Sequence, residues 1–228
     1  MALDILFEDN HLIVVNKNSG DIVQGDRTGD KPLTDIVKTY IKDKYNKPGE
    51  VYLGLPHRLD RPTSGIVVMT RTSKALERMN NLFRTKDIQK TYWAVTEKAP
   101  DKPSGTLVHH LKKNEKQNKS YPLSAGASGA KEAILDYRLV GEGHNYSFME
   151  VDLKTGRHHQ IRAQLSAIGC IIKGDLKYGA RRSNKDGSIH LHARQISFVH
   201  PVRKEPLTIV AAPPKDSLWA EFERLSNK

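Results

Sequence analysis

Cysteine and long apolar runs are scarce in this sequence. The single cysteine, Cys170, cannot form an internal disulfide, so nothing indicates an oxidising compartment. No apolar run approaches the roughly 18 residues that a membrane span needs. Asp4, Glu8 and Asp9 interrupt the N-terminal segment, so no signal peptide is predicted. We therefore expect a soluble cytoplasmic protein with no membrane partner.

Motifs for nucleotide cofactors and metals are also missing. The sequence has no P-loop and no GxGxxG pattern, so neither a nucleotide nor a dinucleotide cofactor is expected. Paired histidines such as His158-His159 lack the cysteine or carboxylate spacing that completes a zinc site. The sequence therefore predicts no cofactor and no metal.

Positive charge, by contrast, is abundant. The 228 residues include 37 Lys and Arg against 26 Asp and Glu, which gives a formal net charge of +11 and a pI near 9.6. Because each phosphate that a cation neutralises releases condensed counterions, this excess favours a polyanionic partner. A generic basic protein has the same composition, so charge indicates nucleic acid without identifying any chemistry.

The order of the predicted elements indicates an α+β fold around a largely antiparallel sheet. Apolar and alternating runs predict strands, and helical spacing recurs in isolated segments. The predicted strands are 5–7, 12–15, 66–69, 91–95, 133–140, 146–153, 196–199 and 207–210, and the predicted helices are 33–41, 72–83, 156–169 and one starting at 216. Residues 101–131 are rich in Lys, Asn, Ser, Gly and Pro and are predicted to be a loop or insertion.

The polar string HRLDRPTSG, residues 57–65, is the strongest candidate for a reactive site. Asp60 lies between Arg58 and Arg61 just before an apolar run that predicts a buried strand. Guanidinium groups nearby favour the ionised carboxylate and keep it available as a nucleophile or base. Side-chain hydrogen bonds from Thr63 and Ser64 are expected to hold the loop. The alternative is a surface turn in which the aspartate pairs with a neighbouring arginine.

The string HRLDRPTSGIVVM resembles the catalytic motif of the RluA-type pseudouridine synthases, which modify ribosomal and transfer RNA. Further segments resemble family motifs in the expected order, and together they cover nearly the full chain: VVNKNSG (14–20), KTYWAV (90–95), TGRHHQIRAQL (155–165), GDLKYG (174–179), LHARQISFVHP (191–201) and EPLTIVAAPP (205–214).

The resemblance implies a single catalytic domain over residues 1–228. The implied fold is a mixed, mainly antiparallel sheet in two halves, with flanking helices and a central active-site cleft. The implied reaction isomerises uridine to pseudouridine without a cofactor. Relatives often carry a separate N-terminal RNA-binding module, for which the sequence leaves no room, so RNA affinity is expected from the catalytic domain. A monomer is the default expectation.

Roles for individual residues follow from the resemblance. Asp60 matches the catalytic aspartate, Tyr92 the tyrosine that packs against the target base, and Arg162 the basic residue that pairs with the aspartate. Ile161 is expected to wall the uracil pocket, and Arg58 to contact the flipped nucleotide or occupy the vacated stack. The remaining candidates are Arg61 and Thr63 for substrate binding, and Lys112, Lys113, Lys116, Arg181 and Arg182 for the RNA backbone.

Two alternatives to an isomerase remain open from the residues alone. One is an RNA-binding or ribosome-assembly protein that uses the fold for recognition without catalysis. The other is a hydrolase in which Asp60 and Glu150 or Asp152 form a carboxylate pair on a glycosidic bond. A hydrolase would release a free base, whereas isomerisation leaves the mass of the RNA unchanged.

Overall fold

The structure is a computed structural model that describes residues 3–26 and 28–226. In chain order its strands and helices are β1 (Ile5–Glu8), β2 (Leu12–Lys17), α1 (Leu33–Lys44), β3 (Ser64–Thr70), α2 (Ser73–Thr85), β4 (Gln89–Thr96), β5 (Ser104–Asn114), β6 (Lys119–Leu123), β7 (Lys131–Glu142), β8 (Ser147–Leu153), α3 (Gln160–Ala167), β9 (Leu191–Val199), β10 (Pro206–Val210) and α4 (Ser217–Ser226).

The chain divides into two compact units. The first holds the residues up to Ile88 together with Arg194–Ala212, and the second holds Gln89–Ala193 together with the residues from Pro213 onward. The boundary falls inside β9, so this strand contributes residues to both units. This division leaves the prediction of a single catalytic domain over residues 1–228 untested.

The first unit is built on antiparallel strand pairs with a largely apolar interior. Strand β2 pairs with β1 on one side and with β3 on the other, and β10 pairs with β9. Every residue of β3 is buried, as its continuous apolar run predicts. Helix α1 buries Leu33, Val37 and Ile41, which share one face at helical spacing.

Helix α2 begins where its sequence predicts. The hydroxyl of Thr72 accepts a hydrogen bond from the Ala75 amide at 3.2 Å, which satisfies one of the free N–H groups at the start of the helix. Met79 is buried on its inner face. The helix ends at Thr85, and the next residue, Lys86, adopts a left-handed backbone conformation with φ of 64°.

The second unit is a set of antiparallel strands in the order β4, β8, β7, β5, β6. An aromatic cluster joins β4 and β8 to the C-terminal helix α4, because Trp93 stacks on Phe222 with 4.3 Å between ring centroids. Phe148 and Trp219 complete this cluster. The predicted mainly antiparallel α+β fold and the predicted terminal helix are therefore confirmed.

The loop prediction for residues 101–131 is wrong over much of that segment, which forms strands β5 and β6 of an antiparallel hairpin. Strand β5 pairs with β7 from Ser104 to Leu111, and with β6 at its far end. Most of its residues are exposed or half-buried, and Val108 is 54% exposed. Because little of the hairpin enters a core, its composition resembles that of a loop.

None of the helices in residues 3–26 and 28–226 is long and apolar enough to cross a membrane.

Candidate active site

Asp60 lies on a short loop that is fixed at both ends. Its carbonyl oxygen accepts a hydrogen bond from the Thr63 amide at 3.1 Å, and β3 begins one residue later. The preceding residue, Leu59, is 9% exposed, whereas Asp60 itself is half-buried. The main chain is therefore held by a turn and a buried strand while the carboxylate keeps part of its exposure.

A buried lysine ties this loop to the segment after β2. Lys17 is 1% exposed, and its Nζ donates hydrogen bonds to the carbonyl oxygens of Asn18 (2.8 Å), Asp21 (2.9 Å) and Arg61 (3.1 Å). The Gly20 amide donates to the same Arg61 oxygen at 2.9 Å. The residue after Asp60 is thus held by two donors from one neighbouring loop.

Burial of Lys17 disfavours the charged form of its side chain. Burial lowers the pKa of its ammonium group to about 8, while the carboxylates of Asp21 and Asp60 act in the opposite direction. A buried cation that donates hydrogen bonds to three carbonyl groups is well suited to anchor the loop, and we assign this role to Lys17. Lys17 belongs to the motif VVNKNSG, but the sequence alone predicted no role for it.

The other candidates near Asp60 have different surroundings. Arg61 pairs with Asp30 at 2.7 Å, with both side chains about half exposed, and Arg58 is exposed. The Thr63 hydroxyl is buried and has no hydrogen-bond partner among the described residues. The expectation that this hydroxyl holds the loop is wrong, because the Thr63 amide does so instead.

Arg162 lies in α3 of the second unit and is fixed by a buried carboxylate. Its Nε is 2.7 Å from Asp175 Oδ2 and its Nη2 is 2.8 Å from Asp175 Oδ1, so the pair is bidentate. The two side chains are 5% and 1% exposed. A bidentate pair fixes the plane of the guanidinium as well as its position. Sequence reasoning missed Asp175, although GDLKYG contains it.

Tyr178 packs on the same guanidinium. Its ring centroid lies 5.1 Å from the Arg162 Cζ. Its hydroxyl accepts from the Ser120 amide at 2.9 Å and lies 3.1 Å from Nδ1 of His159. Burial and the nearby Arg162 cation lower the pKa of His159 to about 2, so this imidazole is neutral. A tyrosine locked in this way leaves the guanidinium little freedom to reorient.

Tyr92 and Ile161 are also in the second unit. Tyr92 lies in β4 opposite Val151 of β8 and is 9% exposed. Ile161 is 4% exposed and lies in the first turn of α3, next to Arg162. The structure therefore groups Tyr92, Ile161 and Arg162 in one unit and Asp60 in the other, and their joint action stays a prediction.

The candidate backbone-binding cations lie in two surface segments of the second unit. Lys112 and Lys113 lie near the end of β5, and Lys116 lies in the turn to β6. Lys113 pairs with Glu115 at 2.6 Å. Arg181 and Arg182 are exposed in the segment that follows a short 3₁₀ turn at Leu176–Tyr178. None of the described residues forms a group of three side chains suited to holding a metal ion.

Comparison with known proteins identifies relatives along the whole chain. The family described as RNA pseudouridylate synthase matches residues 11–167. An uncharacterised RNA pseudouridine synthase of Synechocystis is 32% identical over 99% of this chain and 68% of its own length. The ribosomal large subunit pseudouridine synthase D of Zymomonas mobilis is 30% identical over 100% and 75%. The tRNA pseudouridine synthase C of Pectobacterium carotovorum is 31% identical over 92% and 58%.

Solved structures show the same fold. Human RNA pseudouridylate synthase domain containing 4 superimposes with a TM-score of 0.78 at 25% identity, covering 98% of this chain and 93% of that chain. Human RNA pseudouridylate synthase domain containing 1 gives a TM-score of 0.68 at 20% identity, covering 100% and 96%. The second likeness concerns the fold alone.

Proposed function

The chain belongs to the RNA pseudouridylate synthase family and is an isomerase that converts uridine in RNA to pseudouridine; we propose that Asp60 is its nucleophile and that it acts on ribosomal or transfer RNA. The choice of RNA rests on the names of two relatives, the Zymomonas and Pectobacterium enzymes. The proposal includes action in the cytoplasm, without a cofactor or metal. The predicted monomer stays a prediction.

The proposed reaction needs a carboxylate, a held uracil and a route for one proton. Asp60 attacks the base or the ribose, and the glycosidic bond from nitrogen 1 breaks. The uracil rotates and rebonds to the ribose through carbon 5, and the bond to Asp60 breaks, which returns the free carboxylate. Carbon 5 loses its hydrogen and nitrogen 1 gains one, so the product has the composition of the substrate. This balance requires no redox partner and no co-substrate.

The anchoring of the Asp60 loop is the observation that carries the proposal. A nucleophile must be held within a fraction of an ångström of its reacting atom, which demands a rigid main chain beneath it. The turn closed by Thr63 and the three-carbonyl clamp of Lys17 supply that rigidity. Because these contacts use main-chain atoms, they hold the loop without occupying the carboxylate.

Arg162, Tyr92 and Ile161 are proposed to complete the catalytic group. A guanidinium fixed by Asp175 is a permanent charge of set orientation, suited to keep Asp60 ionised. Tyr92 is proposed to pack against the uracil and to assist proton removal from carbon 5. Ile161, the neighbour of Arg162 in α3, is proposed to form an apolar wall for the base.

RNA contacts are proposed on both sides of the Asp60 loop and on the second unit. Arg58 is exposed, as a side chain that contacts a flipped nucleotide must be. Thr63 is also proposed to bind the substrate, and its buried hydroxyl, which has no hydrogen-bond partner among the described residues, would have to become accessible for that contact. Further proposed contacts are Arg61 to the substrate, and Lys112, Lys113, Lys116, Arg181 and Arg182 to phosphates.

Release of tritium from RNA labelled at carbon 5 of uridine tests the nucleophile. We expect Asp60→Asn to lower the rate by at least about 1,000-fold, which corresponds to about 4 kcal/mol of transition-state stabilisation. Its thermal midpoint should stay close to that of the wild type, because the main-chain contacts remain. Asp43→Asn is the matched control, since it removes an exposed carboxylate from helix α1 of the same unit. Tritium release by Asp60→Asn at the wild-type rate would contradict the assignment.

A further inference from the structure

A basic groove lies on the first unit, between helix α2 and the turn that joins β9 to β10. Its cavity volume is about 530 Å³, within the range of about 300–1,000 Å³ typical of sites for small ligands. Three cationic side chains, from Arg78, Arg84 and Lys204, line it together with a single carboxylate from Glu77. We call this feature the α2 groove. Its balance of charge favours an anionic occupant.

The turn that forms one wall of the α2 groove is rigidly built. Nδ1 of the buried His200 accepts hydrogen bonds from the amides of Val202 (3.2 Å) and Arg203 (2.9 Å). The Lys204 amide donates to the His200 carbonyl at 3.0 Å, and the His200 amide donates to Glu205 at 2.8 Å. Because the backbone is fixed at each of these points, the position of Lys204 is set before any ligand arrives.

Lys204 adopts a backbone conformation that a lysine residue rarely adopts. Its φ is 64°, in the left-handed region that glycine enters without strain. The side chain is exposed, and none of the acidic residues in ranges 3–26 and 28–226 pairs with it. Lys204 is therefore an exposed cation that no carboxylate in the described ranges neutralises, as a contact with an external phosphate requires.

The α2 groove is connected to the Asp60 loop through helix α2. Phe83, between two groove residues of α2, packs against His57 with 5.0 Å between ring centroids. His57 in turn accepts a hydrogen bond from the Val68 amide of β3 at 2.9 Å. His57 and Asp60 are three residues apart, a separation that spans at most about 11 Å. Helix α2, which lines the groove, therefore packs directly against the loop that carries Asp60.

We propose that the α2 groove binds the sugar-phosphate backbone of the RNA at a position outside the nucleotide that reacts. Arginine and lysine side chains pair with phosphate oxygens, and arginine does so through two parallel hydrogen bonds. The exposed apolar surface of Val199, 47% exposed at the rim, suits the face of a ribose or base. The proposal rests on RNA being the substrate, and it adds a binding site to the proposed catalytic group.

The test compares two lysines that share the same backbone strain. Lys204→Gly removes a groove cation, and Lys86→Gly removes an exposed cation outside the groove, which also has φ of 64°. Both changes relieve a left-handed lysine, so each variant should keep its Tm or gain up to about 4 °C. Binding of a fluorescein-labelled 20-nucleotide oligouridylate is measured for both from 0.05 to 0.3 M salt.

Lys204→Gly should weaken binding about fivefold at 0.1 M salt and lower the slope of log Kd against log salt by about 0.7, the loss expected for one phosphate contact to single-stranded RNA. Lys86→Gly should change Kd by less than about twofold. If Lys204→Gly kept the affinity and the slope of the wild type, or if both variants lost the same affinity, the proposal that the α2 groove binds RNA would be contradicted. Tritium release by Asp60→Asn is a separate measurement. A failure of the proposed RNA binding in the α2 groove can therefore be distinguished from a failure of the catalytic assignment of Asp60.

Discussion

The Asp60 loop and the Arg162 site hold their charged groups by opposite means. Asp60 is half-buried, and its loop is fixed through carbonyl and amide groups of the main chain. Arg162 is almost fully buried, and it is fixed through its own guanidinium by the carboxylate of Asp175. In the first arrangement main-chain contacts fix the loop that carries the charged side chain, whereas in the second an ion pair fixes the charged group itself.

This difference matches what each group must do in the proposed reaction. A nucleophile forms and breaks a bond, so its position is best set through the main chain that carries it. A charge partner only has to stay in place, so a permanent bidentate pair is an advantage. Rigidity can therefore come from the main chain at one residue and from a side-chain ion pair at another.

The largest effect on stability is expected at the buried ion pair. Asp175→Ala leaves the Arg162 guanidinium buried without its carboxylate, and we expect the free energy of unfolding to fall by about 3–5 kcal/mol. Urea unfolding measures this loss. A decrease below about 1 kcal/mol would mean that solvent reaches the guanidinium and that the site is not held as described.

A double variant separates the stability of this pair from its function. Arg162→Met combined with Asp175→Leu replaces the pair by apolar side chains, which is often neutral or stabilising in a buried site. We expect most of the stability lost in Asp175→Ala to return, while tritium release stays at background. An active double variant would show that the charge of Arg162 is dispensable.

A smaller effect is expected at the anchor of the Asp60 loop. Lys17→Met removes the Nζ donor from the Asn18 and Asp21 carbonyl oxygens and leaves the Arg61 oxygen with only the Gly20 amide, and we expect a loss of about 2–3 kcal/mol at pH 7. Because this loop carries Asp60, kcat should fall by more than the loss of folded protein explains. Unfolding curves and tritium release on the same samples check both statements.

The burial of Lys17 also predicts how the difference in the free energy of unfolding between the wild type and Lys17→Met depends on pH. Its pKa is about 8 in the folded chain against 10.5 for an ordinary lysine, so the unfolded chain binds more protons between these values. Stability therefore rises with pH across this window in the wild type relative to Lys17→Met. Urea midpoints at pH 7.5 and pH 10 give the comparison. A gap between the two proteins that narrows at pH 10 would contradict the buried position of the ammonium group.

The smallest effect is expected at an exposed ion pair of the second unit. Lys154 lies 3.0 Å from Asp136, but the two side chains are 52% and 40% exposed. Solvent and salt screen such a pair, so Lys154→Met should change the free energy of unfolding by at most about 1 kcal/mol. Urea unfolding measures this change under the conditions used for Asp175→Ala. A loss as large as in Asp175→Ala would show that burial does not distinguish the two pairs.

Most strands and helices could be predicted because their burial follows the period of each element. The alternation around Gly141 predicted the β7–β8 hairpin, and Thr72 marked the start of α2. The hairpin of β5 and β6 was not predicted, because few of its residues are buried and the segment is rich in Lys, Asn, Ser, Gly and Pro. Helix α3 begins at Gln160, later than its motif suggests, because His159 adopts a left-handed conformation that a sequence pattern does not reveal.

The candidate site was predictable in its residue types and only partly in its contacts. Motifs drew attention to Asp60 and Arg162 without showing what holds them. Asp175 is thirteen residues from Arg162, and the intervening chain leaves the helix and turns, so no periodicity relates the two. The three carbonyl acceptors of Lys17 carry no side-chain signature at all. Contacts made by the main chain are invisible to residue types.

Pseudouridine mapping across total RNA, in cells that lack this protein and are complemented with either the wild type or Asp60→Asn, tests the central claim most directly. The account predicts one or a few uridines of ribosomal or transfer RNA whose pseudouridine signal disappears without the protein. It predicts that the wild type restores the signal and that Asp60→Asn does not. Restoration by Asp60→Asn would contradict the nucleophile, and an unchanged map in cells without the protein would contradict the proposed substrate.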